Sequence, residues 1–256
     1  MVETKFHKSD DGDKLAFSQV NGDKKIKNLP GVVFLSGLKS DKEGTKAIFL
    51  SEWAERNDRD FLRFDYRGHG ASSGMFEDTS ISDWLDDTKR IIMGLTSGPQ
   101  ILVGSSLGGW ISLLFTRMFP EKVAGIIGIA AAPDFTVQYS SKNLTKEQRQ
   151  ELSSTGKLSF YSEYFDQPLI ITKKLIEDAA NAGADAIMIH SRKKTVSEIK
   201  AFCDRYNKIP DRPPLVLVPS SFNKAYEDEL SRMGANIIIY ANQLLVGAPR
   251  AFELSV

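Results

Sequence analysis

The chain has one cysteine and three histidines among its 256 residues, and this scarcity excludes several kinds of site. A single thiol cannot form an internal disulfide, and Cys203 has no neighbouring ligands with which to hold zinc. Positive and negative side chains both number 33, so there is no net charge to attract nucleic acid or anionic lipid. We therefore expect a small-molecule partner, no nucleic-acid interface and no metal site.

Long apolar runs are also missing. Even the longer apolar stretches, such as residues 123–133, fall well short of the roughly 18 residues that a membrane-spanning helix needs. The first residues are charged and have the pattern of neither a secretory signal nor a transit peptide. We expect a soluble, cytoplasmic protein without a membrane span, and the sequence leaves its oligomeric state open.

What the sequence does contain is a regular alternation of short apolar runs with segments whose apolar residues recur three and four positions apart. Strands are predicted at residues 14–20, 31–36, 60–64, 100–104, 123–130, 184–189, 214–218 and 236–240. Helices are predicted at residues 45–56, 81–95 and 107–119, and near 195–206 and 224–233. This alternation predicts an α/β fold, a doubly wound and mostly parallel sheet with helices on both faces, giving three layers.

No linker divides the chain, so residues 1–256 are predicted to form a single α/β domain. Its 41% hydrophobic content is enough for a sizeable core. The polar stretch near residues 138–157 is expected to form a helical insertion over the sheet edge, where a lid would lie.

Ser106 lies in a GxSxG motif that directly follows one predicted strand and directly precedes a helix. This strand, turn and helix context distinguishes a nucleophile turn from a chance occurrence of a short pattern. The turn brings backbone segments so close that the residues two before and two after the nucleophile must lack side chains. Gly104 and Gly108 meet that requirement for Ser106, whereas Ser105 would place Val103 and Leu107 in the tight positions.

An earlier predicted strand ends in a second glycine turn, at Gly37. In this architecture the backbone N–H after that glycine and the N–H after the nucleophile receive the negative charge that develops during acyl transfer. We therefore predict an oxyanion hole made by the backbone amides of Leu38 and Leu107.

Four segments together resemble one family over roughly residues 14–175: FLSGLKSDKEGTKA, FLRFDYRGHGASSG, LVGSSLGGW and GIAAAPDFT. They are similar to the α/β-hydrolases, and within them to bacterial serine hydrolases related to a mitochondrial acyl-protein thioesterase with an abhydrolase domain. The resemblance implies hydrolysis of an ester or thioester through an acyl-serine intermediate, with no cofactor.

A serine nucleophile needs a base and an orienting acid, which follow it in the chain order Ser, acid, His in this fold. Of the three histidines only His190 follows Ser106, so it is the candidate base, although no carboxylate stands in the next four positions. Asp134 is the candidate acid, with helix capping as the alternative. His69 is interpreted as a structural loop residue and His7 as part of a solvated tail.

The tail contains three further motifs, AGADAIMIHSRKKTVSEIKAF, PLVLVPSSF and GANIIIYANQLL. Over about residues 178–252 they resemble the closing strands of phosphoenolpyruvate phosphomutase, a barrel enzyme, which implies a substrate-holding role for His190. The chain is therefore interpreted as a chimera, hydrolase-like over residues 1–177 and phosphomutase-like over 178–256. The barrel-like segment is expected to supply the last strands and helices of the sheet.

The function predicted from the sequence is a serine hydrolase acting on a small acyl ester or thioester through Ser106. Loss of one triad member costs on the order of 10⁴- to 10⁶-fold in turnover, so slow catalysis is expected if the base is absent. One alternative is a non-catalytic α/β fusion module that binds a small acyl or acidic ligand. Another is a fragment of a phosphoenolpyruvate or phosphonate enzyme, which rests on the tail alone.

Overall fold

The computed structural model describes residues 2–8, 12–22, 29–133, 135–139, 143–161, 168–182, 187–189, 195–208, 215–217 and 226–240. The strands in these parts are β1 (Lys5–Lys8), β2 (Lys14–Val20), β3 (Gly31–Leu35), β4 (Phe61–Phe64), β5 (Gln100–Ser105), β6 (Val123–Ile129), β7 (Lys157–Phe160), β8 (Leu169–Thr172), β9 (Ile187–Ile189), β10 (Leu215–Leu217) and β11 (Ile237–Tyr240). The helices are α1 (Thr45–Arg56), α2 (Ile81–Leu95), α3 (Leu107–Met118), α4 (Lys146–Thr155), α5 (Lys173–Ala182), α6 (Ser197–Tyr206) and α7 (Glu227–Arg232).

The main sheet, as far as the structure describes it, has the strand order β1-β2-β4-β3-β5-β6-β11-β10-β9. The β1–β2 and β2–β4 pairs are antiparallel and the remaining pairs are parallel. Carboxyl ends of parallel strands meet at one edge of a sheet, so the turns after β3 and β5 lie side by side. The predicted α/β fold with a mostly parallel sheet is confirmed.

The core lies on both faces of this sheet, because neighbouring residues of a strand point to opposite sides. In β3, Val33 and Leu35 join the apolar cluster packed under α2 and α3. Val32 and Phe34 of the same strand join a second cluster with Ala47, Leu50 and Ala54 of α1. Burial on both faces explains why β3 is a continuous apolar run rather than an alternating one.

The last three strands enter the sheet in reverse chain order. The final strand, β11, pairs with β6, with Ile238 opposite Ile127, and β9 lies at the far edge. Helices α6 and α7 cover this part with a third apolar cluster that includes Cys203 and Leu230. The thiol is buried and packs there as a small hydrophobic group.

The insertion between β6 and β9 begins with a 3-10 helix (Phe135–Tyr139). Helix α4 follows within the predicted lid segment and has a capping box formed by Thr145 and Gln148. An antiparallel hairpin of β7 and β8 follows, and then α5. Asp178 of α5 accepts hydrogen bonds from the N–H and the hydroxyl of Ser82, each at 2.7 Å, at the start of α2. The insertion is therefore fastened to the helix that packs beside α3.

Candidate active site

Ser106 stands between the end of β5 and the start of α3 in a backbone conformation that side chains rarely adopt, with φ 52° and ψ −115°. A positive φ at a residue other than glycine costs roughly 1–3 kcal/mol and persists only where the surroundings impose it. Here the N–H of Ser106 donates to the carbonyl of Ile129 at 3.0 Å, and its own carbonyl accepts from Gly109 and Ala132 at 3.0 Å. The end of β6 thus holds the turn from both sides, with the serine half-buried.

The close approach of backbone at this turn explains its glycines. A Cβ on Gly104 would overlap the carbonyl of Gly108, and a Cβ on Gly108 would overlap the carbonyl of Leu35 at the end of β3. Gly109, which the motif did not single out, is equally constrained, because a Cβ there would overlap Ala131. The elbow is therefore packed against both neighbouring strands.

The turn after β3 lies directly beside the serine. A Cβ placed on Gly37 would be 3.4 Å from the Cβ of Ser106 and 3.4 Å from the carbonyl oxygen of Ser105. The N–H of Ser40 donates to the carbonyl of Gly37 at 3.1 Å, which closes a four-residue turn. Lys39, the third residue of that turn, has φ 58°, a position that glycine usually occupies.

The two predicted oxyanion donors belong to these adjoining turns. Leu107 is fully buried and is the first residue of α3, where backbone N–H groups have no partner within the helix. Leu38 is half-buried and packs against the main apolar cluster. Their roles as donors through the backbone remain predictions.

His69 lies in the loop between β4 and α2 and is surrounded by three aromatic rings, 5.6 Å from Tyr66, 5.4 Å from Phe76 and 5.3 Å from Trp84 between ring centres. Its Nδ1 donates to the carbonyl of Arg67 at 3.2 Å, and among the described residues its Nε2 has no partner. Burial lowers the pKa of the imidazole to about 4, so it is neutral at pH 7. These surroundings support the structural interpretation of His69.

His7 lies on the edge strand β1 rather than in a free tail. A Cβ on Gly94, near the end of α2, would be 2.9 Å from the Cε1 atom of its ring. Neither His7 nor His69, the two histidines that the structure describes, makes a hydrogen bond to Ser106.

His190 and Asp134 lie outside the described residues, so their predicted roles as base and acid remain predictions. The strand before His190, β9, is described and is the fourth strand from β5 in the sheet order. Neighbouring strands are spaced by about 4.8 Å, which separates β9 from the elbow strand by roughly 19 Å.

A cavity of about 530 Å³ opens at the other end of the sheet, at the amino ends of the parallel strands. Val32, Phe61 and Gln100, which begin or lie close to the beginning of β3, β4 and β5, are among its lining residues. It is therefore remote from Ser106 and takes no part in the chemistry considered for that residue.

Comparison with known families supplies the classification. The family model described as serine aminopeptidase, S33, matches residues 30–244, which include the turn after β3, the elbow and the tail strands. The chain belongs to this family of α/β-hydrolases. The match agrees with the mostly parallel sheet and its covering helices.

Similar proteins of known structure or sequence give finer comparisons. A putative hydrolase from Agrobacterium vitis S4 is 27% identical with a TM-score of 0.70, covering 94% of this chain and 90% of that one. Mouse alpha/beta hydrolase domain-containing protein 10 is 28% identical with a TM-score of 0.65, covering 93% and 87%. The mitochondrial palmitoyl-protein thioesterase ABHD10 of Rattus norvegicus is 40% identical over 151 residues, which are 59% of this chain and 48% of that protein. The chain spans about half the length of the curated relatives it matches.

A shorter similarity concerns a different enzyme. Phosphoenolpyruvate phosphomutase of Tetrahymena pyriformis is 39% identical over 69 residues, 27% of this chain and 22% of that protein. The joining of two ancestries therefore stays a prediction, since the hydrolase family model extends through the tail to residue 244.

Cellular location also stays a prediction. Within the described ranges no helix is both long enough and apolar enough to cross a bilayer. The thioesterase of Rattus norvegicus is described as mitochondrial, which gives no support to the cytoplasmic expectation.

Proposed function

We propose that this protein is a serine hydrolase that cleaves a carboxylic ester or thioester through an acyl-Ser106 intermediate. The observation that carries the proposal is the positive φ of Ser106 beside the Gly37 turn. In the proposed reaction the serine Oγ attacks the acyl carbon, and the amides of Leu38 and Leu107 stabilise the resulting oxyanion. The alcohol or thiol leaves with a proton, and water then releases the acyl group from the serine.

Apolar packing between the elbow helix and the insertion supports an acyl substrate. Trp110, one helical turn after Ser106, packs edge to face against Phe135 with 5.9 Å between ring centres. Leu38, Phe135 and Phe160 are half-buried and lie against the same apolar cluster. Similarity to a palmitoyl-protein thioesterase favours a thioester with an aliphatic chain over a polar ester.

Fluorophosphonate labelling tests the proposal, because the probe phosphonylates an activated serine. We expect the wild type to be labelled at Ser106 and Ser106→Ala to be unlabelled. Ser105→Ala is the control, since this neighbouring serine is the buried last residue of β5 and is not the predicted nucleophile, and it is expected to keep the label. Equal labelling of the wild type and Ser106→Ala would remove the proposal.

The alternative of a binding module without turnover is favoured by one observation, namely that neither described histidine makes a hydrogen bond to Ser106. Added imidazole distinguishes the two, because a small diffusible base can replace a missing one. If only the base is absent, the wild type with imidazole should hydrolyse a p-nitrophenyl acyl ester faster than imidazole alone does, whereas Ser106→Ala should not exceed that background rate. No response in either protein, together with binding of the ester, would favour the module.

A further inference from the structure

The segment that carries Leu38 continues through Lys42, and two buried charged side chains of the neighbouring strand hold it there. Asp65, directly after β4, is 1% exposed. Its Oδ1 accepts the N–H of Lys42 at 2.6 Å, and its Oδ2 accepts the N–H of Ala71 at 3.0 Å. A Cβ on Gly70 would overlap this carboxylate, so the second loop wraps closely around it. One carboxylate thus joins two loops at the carboxyl edge of the sheet.

Arg63 completes the attachment. It lies in β4, is 2% exposed, and its Nη1 donates to the carbonyl of Lys42 and to Oε2 of Glu43, the latter at 2.8 Å. Both polar groups of the Lys42 backbone are therefore bound to side chains of the β4 segment. The Lys42 ammonium is itself buried, donating to Thr4 Oγ1 at 2.7 Å and pairing with Glu43.

Burying these charged side chains costs free energy on folding, which points to a role other than stabilising the fold. Removing a charged group from water costs several kcal/mol, and an apolar replacement is often equally stable or more so. Burial raises the pKa of the Asp65 carboxyl, while the amides of Ala71 and Lys42 stabilise its charged form. What these charges provide is a fixed position for residue 42, close in sequence to the Gly37 turn that faces Ser106.

We propose that Arg63 and Asp65 are positioning residues that hold the segment 37–43, and with it the Leu38 amide, in place against Ser106. This inference rests on the proposed function, since it assigns the segment a role in stabilising the oxyanion. Neither side chain touches the reacting atoms; both act through the backbone of Lys42.

A second Arg and Asp pair, half-buried and exposed rather than buried, lies at the opposite end of the same sheet and serves as the control. There Asp60 accepts the N–H of Gly22 at 2.9 Å, and Arg59 donates to the carbonyl of Pro30 at 2.7 Å. This pair also ties loops to the β4 segment through backbone groups, but at the amino ends of the parallel strands. Loss of its charge should leave the surroundings of Ser106 intact.

The first experiment compares Asp65→Asn with Asp60→Asn. Asparagine keeps the size of the side chain but replaces one carboxylate oxygen with an NH2 donor, so one of the two amides, which bind different oxygens, would face a donor instead of an acceptor. A small displacement of an aligned group costs on the order of 10²-fold in rate, so we expect roughly that loss in kcat and in Ser106 labelling for Asp65→Asn. The KM of Asp65→Asn should stay within about 3-fold of wild type, since ground-state binding is preserved. The labelling of Asp60→Asn should also stay within about 3-fold of wild type. If Asp65→Asn raised KM and left kcat unchanged, the inference would be overturned.

The second experiment needs no activity. Hydrogen–deuterium exchange of the folded variants should be faster in residues 37–43 for Asp65→Asn, with β3 and β5 still protected, and unchanged there for Asp60→Asn. If Asp65→Asn does not fold, Arg63→Lys, which keeps the charge, serves in its place with the same expectation. Unchanged exchange in residues 37–43 overturns the inference. An unlabelled wild type refutes the proposed function only. Hydrogen–deuterium exchange then decides whether Arg63 and Asp65 position the segment 37–43.

Discussion

Lowering the pH from about 7.5 to about 4.5 should remove roughly 2.5 kcal/mol of folding free energy through His69 alone. Burial among aromatic rings lowers the pKa of this imidazole from its ordinary 6.5 to about 4. Between these values the unfolded chain binds a proton that the folded protein excludes. The stabilising contribution is therefore complete above pH 6.5 and is lost as the pH falls towards 4.

Other groups near His69 modify this shift without reversing it. The carbonyl of Arg67 and the carboxylate of Asp41 favour the protonated ring, whereas the ammonium of Lys39 opposes it. Buried carboxyls such as Asp65, whose pKa is raised, change stability in the opposite direction on acidification. The wild type alone therefore cannot isolate the contribution of His69.

Comparison with His69→Phe isolates that contribution. Phenylalanine keeps an aromatic ring against Tyr66 and Trp84, and the Arg67 carbonyl still accepts from Trp84 Nε1 at 3.3 Å. The larger ring costs about 1–3 kcal/mol at every pH, so only the difference between two pH values is informative. In urea unfolding at about pH 7.5 and 4.5, the wild type should lose about 2.5 kcal/mol more than the variant. Equal losses would refute the claim that burial keeps this histidine neutral.

Two further predictions concern the turns beside Ser106. Gly108→Ala should lower the free energy of unfolding by about 3 kcal/mol, because its Cβ would overlap the carbonyl of Leu35. Gly125→Ala is the control in thermal unfolding, since there is open space at its Cβ. Similar unfolding midpoints for the two variants would contradict the packing described. Lys39→Asn should be more stable than Lys39→Val by about 1 kcal/mol, since asparagine tolerates a positive φ and a β-branched residue does not. Urea unfolding measures that difference, and a more stable valine variant would show that the turn does not impose this backbone.

The sequence was most informative where a pattern reports burial. Predicted residues 14–20, 45–56 and 81–95 match β2, α1 and α2 to the residue, because each presents a full apolar face to the core. Strand β1 was missed because KFHK is mostly exposed and shows no alternation of apolar and polar residues. The hairpin of β7 and β8 was missed because its strands have four residues each and no distinctive turn signal.

Other features cannot be read from local pattern at all. The three tail strands lie within their predicted ranges, but similar apolar runs do not say which of them pairs with β6. Arg63 and Asp65 gave no signal, since they act on the backbone of Lys42, which no side-chain pattern records.

The order of the tail strands determines what the predicted base requires. General-base catalysis needs the imidazole within roughly 3 Å of the serine oxygen or one water away. Because β9 is the fourth strand from β5, a role for His190 requires the chain after β9 to approach the elbow across the ends of β10, β11 and β6. The described alternative, His69, is neutral at pH 7 as a base should be, but its Nε2 lies among aromatic rings. A response to added imidazole would therefore indicate that neither histidine reaches Ser106. Full activity without imidazole, if it is lost in His190→Ala, would instead require that the chain after β9 approaches the elbow.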